Sequence, residues 1–203
     1  MKILGADEQG VSEAAKVIRV GGVVIYPTET VYGLGCEPSS PDATRRVCEI
    51  KGRADKPLPL ICSDTRVARR VVEFNAAAEL LAERFWPGPL TLVLPSKVDY
   101  PVWVTRHMRT LGVRVPSHEV ARRLAELSGG VIVGTSANRG GEPPSRTASG
   151  AVDQIGRKVD IVLDGGMTPG GEPSTVMDIS GEELWILRKG PISGEEIREA
   201  LRG

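Results

Sequence analysis

The chain has 203 residues, which suits one domain whose core is large enough to fold without structural metals or disulfides. Lys plus Arg number 26 and Asp plus Glu number 26, so no strong net field favours a polyanion or a membrane surface. We therefore expect a single domain over residues 1–203, in which any nucleic-acid affinity comes from a local patch.

The three cysteines, Cys36, Cys48 and Cys62, are too widely spaced for a zinc motif, a redox motif or a disulfide framework. We interpret them as reduced thiols in the core. The N-terminus lacks the basic-then-apolar pattern of a signal peptide, and no apolar run approaches the ~18 residues of a membrane span. A cytoplasmic protein without membrane association is expected.

Helical patterns alternate with short apolar runs along the chain. Helices are predicted for SEAAKVIRV, capped by Ser12, for DATRRVCEI, AAAELLAERF and SHEVARRLAEL, and for the closing SGEEIREAL, whose Ser193 and Glu196 form a capping box. Strands are predicted for VVIYP, LPLIC, LTLVLP, LGVRVP, GVIVGTS, VDIVLD, STVMDI and LWILR.

The last three apolar runs follow one another with only turns between them, so strict βαβ alternation fails. The predicted fold class is therefore mixed α/β (α+β), with a mixed sheet that contains antiparallel pairs. Gly33 to Gly35 is interpreted as a turn, and the stretch from Arg139 to Gly150 as a mobile loop.

Polar residues cluster where the predicted strands end. Ligands collect outside strand ends in open α/β sheets, so these segments predict one shared pocket. The segments are PTET at residues 27–30, KGRADK at 51–56, PGPLT at 87–91, Arg114 with the residues after it, and TSAN at 135–138.

Each of these polar groups also has an ordinary structural interpretation. Lys51, Arg53 and Lys56 form either a solvated charge run or a phosphate-binding cluster, and the prolines of KPLPL favour the second. Arg114 is either a snorkelling edge residue or a partner for an anion. Ser136 and Asn138 suit either a ligand or a cap.

The searches for familiar catalytic signatures are negative. The sequence has no P-loop, no complete dinucleotide fingerprint and no nucleophile elbow, and its two histidines have no metal-ligand spacing. No protein-bound zinc and no covalent nucleophile are expected. Positioning and charge neutralisation would have to drive any reaction.

Seven ordered motifs resemble the YrdC-like family, and within it the short, single-domain threonylcarbamoyl-adenylate synthases. They are PTETVYGLG, KGRADKPL, WPGPLTLVL, VRVP with His118, TSAN, STV at 174–176 and LRKG at 187–190, and they extend from about Gly21 to Gly190. The loop between Arg53 and Lys56 is one residue shorter than the family pattern and lacks its proline.

The resemblance implies a twisted sheet around a concave, positively charged cavity that binds ATP with Mg²⁺, L-threonine and bicarbonate. The product would be L-threonylcarbamoyl-AMP, used by a separate transferase to modify tRNA, with at most weak tRNA binding by this chain. By motif position, charge would be stabilised by Lys51, Arg53 and Lys56, and the nucleotide would be surrounded by these three with Thr110, Ser136, Asn138, Ser145 and Arg188.

Threonine would be held by Thr30, Arg114, Ser174 and the Gly134 backbone. Thr28 and Thr30 would share one strand face, with their hydroxyls toward the ligand and Glu29 facing the other way. Two alternatives stay open: a carbamoyl-adenylate module as in hydrogenase maturation, and a non-catalytic RNA-binding module. The first occurs in much longer chains, and the second would show affinity that falls steeply with salt.

Overall fold

The computed structural model describes residues 1–52 and 55–202, and these form eight helices and eleven strands. The helices are α1 Glu8–Arg19, α2 Pro41–Lys51, α3 Thr65–Val71, α4 Ala76–Phe85, α5 Val102–Thr105, α6 Glu119–Leu127, α7 Ala148–Ile155 and α8 Gly194–Ala200. The strands are β1 Lys2–Gly5, β2 Val24–Tyr26, β3 Gly33–Gly35, β4 Leu60–Cys62, β5 Leu90–Pro95, β6 Thr110–Arg114, β7 Val131–Val133, β8 Thr135–Ser136, β9 Ile161–Asp164, β10 Thr175–Asp178 and β11 Trp185–Arg188.

The described strands divide into two sheets, each with parallel and antiparallel pairs. One has the order β1-β9-β2-β3-β8 and the other β11-β10-β5-β6-β4-β7. The predicted mixed topology is confirmed, and so is the antiparallel pairing of β10 with β11. β9 does not join β10 and β11, although the three apolar runs are consecutive, because it pairs in parallel with β1 and β2 in the first sheet.

The run predicted as one strand, GVIVGTS, is divided between the two sheets at Gly134. β7 pairs with β4 in the second sheet, and β8 pairs with β3 in the first. The Gly134 amide donates to the Pro59 carbonyl at 2.8 Å, and a Cβ at this position would overlap the Ile61 side chain. Only glycine allows the chain to cross so close to β4.

Local capping chemistry sets several helix boundaries. The capping box of Ser193 and Glu196 at α8 is confirmed. The predicted cap at Ser12 is wrong, because Asp7 accepts from the Gly10 amide at 2.8 Å and α1 begins one turn earlier. This longer helix also buries Val11, which extends its apolar face.

Two segments predicted as irregular are partly regular. Gly33–Gly35 is the strand β3, paired on both sides, and its glycines allow close packing against the Tyr26 ring. The loop assigned to residues 139–150 ends in α7, where Thr147 caps the helix by accepting from the Gly150 amide.

Helices and sheets enclose an apolar core that includes all three cysteines. Cys36, Cys48 and Cys62 are buried and free, which confirms the interpretation as reduced core thiols. Burial in this apolar core raises the pKa of Cys62 to about 12, so its thiol stays protonated. Across residues 1–52 and 55–202, no helix combines the length and apolar character needed to cross a bilayer.

Candidate active site

A cavity of about 550 Å³ opens where strands of both sheets end. Its volume is in the range of small-ligand sites. Eight of the predicted site residues line it: Thr30, Lys56, Thr110, Arg114, Gly134, Ser136, Ser174 and Arg188. The fold therefore brings together residues that are up to 158 positions apart in sequence, as Arg188 and Thr30 are.

One end of the cavity contains a chain of directed hydrogen bonds. The Thr28 hydroxyl donates to the Val31 carbonyl at 2.6 Å and lies 2.8 Å from the Thr30 hydroxyl. Because a hydroxyl has one proton, Thr30 must donate to Thr28. Arg114 Nη2 in turn donates to Thr30 Oγ1 at 3.3 Å, so the orientation of each group in the row is fixed.

The two threonines are neighbours through a turn and not through a strand face. β2 ends at Tyr26, and the amides of Thr30 and Val31 bend back to the Thr28 hydroxyl, each at 3.2 Å. Thr residues favour this local bonding, which competes with a strand ladder. Both hydroxyls line the cavity as predicted, although the strand that was expected to place them is absent at these residues.

Glu29 has an ionic partner that the sequence did not reveal. Its carboxylate lies 2.8 Å from Arg114 Nη2, and the two side chains are 14% and 8% exposed. Arg114 lines the cavity, whereas Glu29 is not among its lining residues. The anion that Arg114 requires when buried is therefore supplied within the chain.

Ser174 connects the two predicted halves of the site. Its hydroxyl lies 2.8 Å from that of Thr91 on β5, and its carbonyl accepts from Arg188 Nε and Nη2 at 3.0 and 2.8 Å. Arg188 Nη2 also donates to Ser174 Oγ at 3.1 Å. A residue predicted for threonine and one predicted for the nucleotide are thus in direct contact.

Three of the predicted nucleotide ligands lie outside the cavity lining. The buried Lys51 ammonium donates to the carbonyls of Ser136 and of Asn138, the latter at 2.9 Å. The side-chain amide of Asn138 donates from Nδ2 to the carbonyls of Arg139 and Glu142. These bonds hold the backbone that carries Ser136, a role that the spacing of KGRADK could not distinguish from phosphate binding.

Ser145 is the third of these residues. Its hydroxyl donates to the Thr147 carbonyl at 2.9 Å and accepts from the Thr147 amide at 3.2 Å, just before α7. It is 8% exposed and its carbonyl accepts from the Tyr32 amide. The structure therefore places Ser145 in a buried turn just before α7, bonded to the backbone of Tyr32.

The predicted phosphate cluster is represented in the cavity by one described residue. Lys56 lines the cavity with an exposed side chain, and it forms no hydrogen bond or ion pair within residues 1–52 and 55–202. Arg53 lies outside the described residues. Thr110, also predicted for the nucleotide, lies at the start of β6 on the same cavity wall.

Sequence reasoning missed Val93, Val176 and Asp178 in the cavity lining, and it included Thr91 only as the last residue of the PGPLT segment. Thr91 and Val93 alternate on β5, and Val176 and Asp178 are their register partners on β10. Residues at i and i+2 share one face of a sheet, so the two-residue period of these strands was the available signal. Which of the two faces would be open to a ligand depended on the packing.

Burial shifts the pKa values of two ionisable groups, Tyr26 and His118. Tyr26 donates to the Val133 carbonyl at 3.2 Å, and its burial raises the pKa of its hydroxyl well above the ordinary value, so it remains neutral. Burial lowers the pKa of His118, which favours a neutral imidazole, while the nearby Glu29 charge acts in the opposite direction.

Comparison with known proteins assigns the chain to a family. The Sua5/YciO/YrdC family model, described as "Telomere recombination", matches residues 16–190. The chain belongs to this family. This match confirms the resemblance that the seven sequence motifs indicated.

Two curated relatives of this family are named threonylcarbamoyl-AMP synthase. The protein from Pyrococcus abyssi is 41% identical over 96% of this chain, and the chain spans 58% of that relative's length. The protein from Coxiella burnetii is 37% identical over 87% of this chain and 96% of its own length. This chain therefore corresponds to little more than half of the first relative and to nearly all of the second.

A solved structure of this family has the same fold. Pyrococcus abyssi Sua5, crystallised with L-threonine, superposes with a TM-score of 0.92 and 39% identity, over 98% of this chain and 59% of that one. The likeness confirms the mixed α/β class for the described part of this chain.

Proposed function

We propose that this chain is an L-threonylcarbamoyladenylate synthase, which condenses ATP, L-threonine and bicarbonate to L-threonylcarbamoyl-AMP and pyrophosphate. The observation that carries the proposal is one cavity that unites the Thr30, Arg114 and Ser174 group with Lys56, Ser136 and Arg188. The relatives' names support this function over a hydrogenase-maturation module or an RNA-binding module.

The directed hydrogen bonds support assigning one end of the cavity to threonine. Arg114 would bind the substrate carboxylate, and the Thr30 and Ser174 hydroxyls and the Gly134 backbone would contact the rest of the amino acid. Because Thr30 and Arg114 are already held by bonds to each other, little conformational freedom is lost when threonine binds.

The chemistry requires two steps. The threonine ammonium first loses a proton to solvent, and the free amine then condenses with bicarbonate to a carbamate with loss of water. A carbamate oxygen then attacks the α-phosphorus of ATP. The bond from that phosphorus to the bridging oxygen of the β-phosphate breaks, and pyrophosphate departs with the electron pair. Negative charge grows on the departing group, where nearby cations lower the barrier.

Lys56 and Arg188 are the described cations of the cavity wall besides Arg114, and we assign them to the nucleotide. Arg53 is proposed for the phosphates by motif position. For Lys51, Asn138 and Ser145 we propose an indirect role in nucleotide binding. Their hydrogen bonds hold the backbone segments that carry the ligand contacts.

We assign Mg²⁺ to the substrate, as Mg-ATP. Within residues 1–52 and 55–202 the structure has no group of three or more His, Cys, Asp or Glu side chains arranged to hold a metal ion. Asp178 is a carboxylate among the residues that line the cavity, and its Oδ1 accepts from the Ser180 amide and hydroxyl.

The same proposal includes the cellular setting. Residues 1–203 would form one cytoplasmic domain whose product is consumed by a separate transferase acting on tRNA. Binding of tRNA by this chain would be weak, because the chain as a whole has no net charge.

The decisive experiment mixes the purified protein with Mg-ATP, bicarbonate and L-threonine. Pyrophosphate release that depends on both threonine and bicarbonate, with a product of the mass of threonylcarbamoyl-AMP, is the expected result. Folded protein that binds ATP but releases no pyrophosphate with threonine would overturn the proposal. Steeply salt-dependent RNA binding with indifference to threonine would favour the RNA-binding alternative.

A further inference from the structure

The Arg114 guanidinium already has an anionic partner inside the protein. Arg114 Nη2 lies 2.8 Å from Glu29 Oε2, and the Glu29 side chain is 14% exposed. Glu29 does not line the cavity, whereas Arg114 and both neighbouring threonines do. The cation of this pair thus lines the cavity, whereas its carboxylate does not.

The segment that carries Glu29 is held in place on both sides. The Gly170 amide donates to the Glu29 carbonyl at 3.0 Å, and the Thr168 hydroxyl donates to the Thr30 carbonyl at 3.1 Å. A Cβ at Gly170 would approach the Glu29 and Thr30 backbone within 3.0 Å, so the two segments are closely packed. The backbone that carries the Glu29 side chain is therefore held in place next to the segment 168–170.

We propose that Glu29 is a positioning and specificity-determining residue, which neutralises Arg114 so that this end of the cavity accepts an amino acid as its zwitterion and disfavours a simple carboxylate anion. The inference rests on the proposed function, in which Arg114 binds the carboxylate of threonine.

The physical reason is the balance of charges in a partly dehydrated site. Arg114 alone would attract any carboxylate, but the adjacent Glu29 charge cancels much of that field. A zwitterion brings its own ammonium, which the Glu29 charge stabilises through space. An anion without the ammonium brings one uncompensated negative charge close to Glu29. Burial keeps the neighbouring His118 mostly neutral, so it does not offset that charge.

The test compares two ligands that differ only in this charge. L-Threonine and 2,3-dihydroxybutanoate of the same configuration share the carboxylate and the side-chain hydroxyl, but a hydroxyl replaces the ammonium in the second. Calorimetric titration of both into the unmodified protein and into Glu29→Gln gives two affinity ratios. The ratio of the two dissociation constants cancels any general loss of positioning of Arg114, because both ligands use the same carboxylate contact.

The preference for threonine over the anion should fall by about tenfold or more in Glu29→Gln, given one charge removed at short range. Glu29→Asp keeps the charge and should retain the original ratio even if both ligands bind more weakly. Glu119→Gln removes an exposed carboxylate at the start of α6 and is the matched control, with no change in the ratio expected.

Each outcome decides one question. An unchanged ratio in Glu29→Gln would overturn the inference and leave the proposed function intact. Failure of the unmodified protein to bind threonine at all would overturn the proposed function itself. If Glu29→Gln does not fold, Glu29→Ser, whose smaller side chain admits water beside Arg114, is titrated instead. If neither variant folds, Glu29 acts on stability alone and the inference is wrong.

Discussion

The two ends of the cavity differ in how firmly their polar groups are held. Thr30, Arg114 and Ser174 are 2%, 7% and 3% exposed, and each bonds to another named side chain. Lys56 is exposed and has no such partner among residues 1–52 and 55–202. The first end is preorganised for a small ligand, whereas the second offers a cation whose position the ligand itself must fix.

This difference has an energetic meaning. Preorganised groups give discrimination, since a wrong ligand leaves buried polar atoms without partners. An exposed lysine gives charge neutralisation with little shape selectivity, and it loses side-chain entropy when it is ordered. We therefore expect amino-acid selectivity to arise at the threonine end, and stabilisation of the departing pyrophosphate at the Lys56 end.

Arg114→Ala should have the largest effect, because it removes the cation of the preorganised end. Threonine binding should weaken by roughly 2 to 5 kcal/mol, the cost of truncating one partner of a hydrogen-bonded charge pair. The protein should also lose about 3 to 5 kcal/mol of unfolding free energy, since Glu29 would be left buried without its cation. Calorimetry with each ligand and urea unfolding measure the two effects.

ATP affinity should change much less in Arg114→Ala, and Arg114→Lys should recover only part of the threonine affinity, because an ammonium lacks the planar two-point contact. Loss of ATP affinity with normal threonine affinity would assign Arg114 to the nucleotide and remove the contrast between the two ends.

Lys56→Ala tests the opposite end. Transition-state stabilisation should fall by roughly 2 to 4 kcal/mol, by analogy with other electrostatic contacts to a developing charge. The unfolding free energy should stay within about 0.5 kcal/mol, as is usual for an exposed position. Steady-state pyrophosphate release and urea unfolding provide the comparison, and activity within a few-fold of normal would show that Lys56 is only a solvated charge.

Lys51→Met separates the buried lysine from the exposed one. The substitution keeps the apolar stem but removes the ammonium that donates to the Ser136 and Asn138 carbonyls. Hydrogen bonds from charged groups contribute about 1.5 to 3 kcal/mol, so stability should fall by roughly that amount. Chemical denaturation checks this. A normal unfolding midpoint combined with a large loss of ATP affinity would return Lys51 to the phosphates.

Competing amino acids test how selective the threonine end is. Loss of one methyl group changes binding by about 1 to 3 kcal/mol, so serine should be a poor but detectable substrate. Valine should be worse, because it leaves a pocket hydroxyl or amide unpartnered. Values of kcat/KM from pyrophosphate release decide the order, and equal turnover of threonine and valine would show that the hydroxyl is not recognised.

The smallest expected effect concerns pH and His118, which lies close enough to Glu29 to be influenced by its charge. Burial lowers the pKa of His118 in the folded protein, so folding favours the neutral imidazole. This contribution to stability is fully present at pH values above about 6.5, the pKa of histidine in the unfolded chain. It is lost as the pH falls from that value toward the lower pKa of the folded protein. Between pH 8 and pH 5, the unfolding temperature should fall less in His118→Gln than in the unmodified protein. The same pH dependence in both proteins would contradict this assignment.

Much of the fold could be predicted from the sequence because its signals are local. The apolar runs and the amphipathic periods of α2, α4 and α6 gave the mixed class, and the Ser193–Glu196 box identified the start of α8. Of the eight predicted site residues that line the cavity, Thr30, Lys56, Arg114 and Ser136 belong to the polar segments at strand ends, which meet once the strands pair. The other four, Thr110, Gly134, Ser174 and Arg188, came from the family resemblance alone.

Only the tertiary structure decided which elements lie against one another. Sequence periodicity gives the face on which a side chain lies but not the neighbour across from it. For that reason the pairing of Glu29 with Arg114, the burial of Lys51 against the Ser136 and Asn138 carbonyls, and the crossing between sheets at Gly134 could not be predicted. Residue types and order determined which polar groups were available for a site. Packing determined which of them were left facing the cavity and which became partners inside the protein.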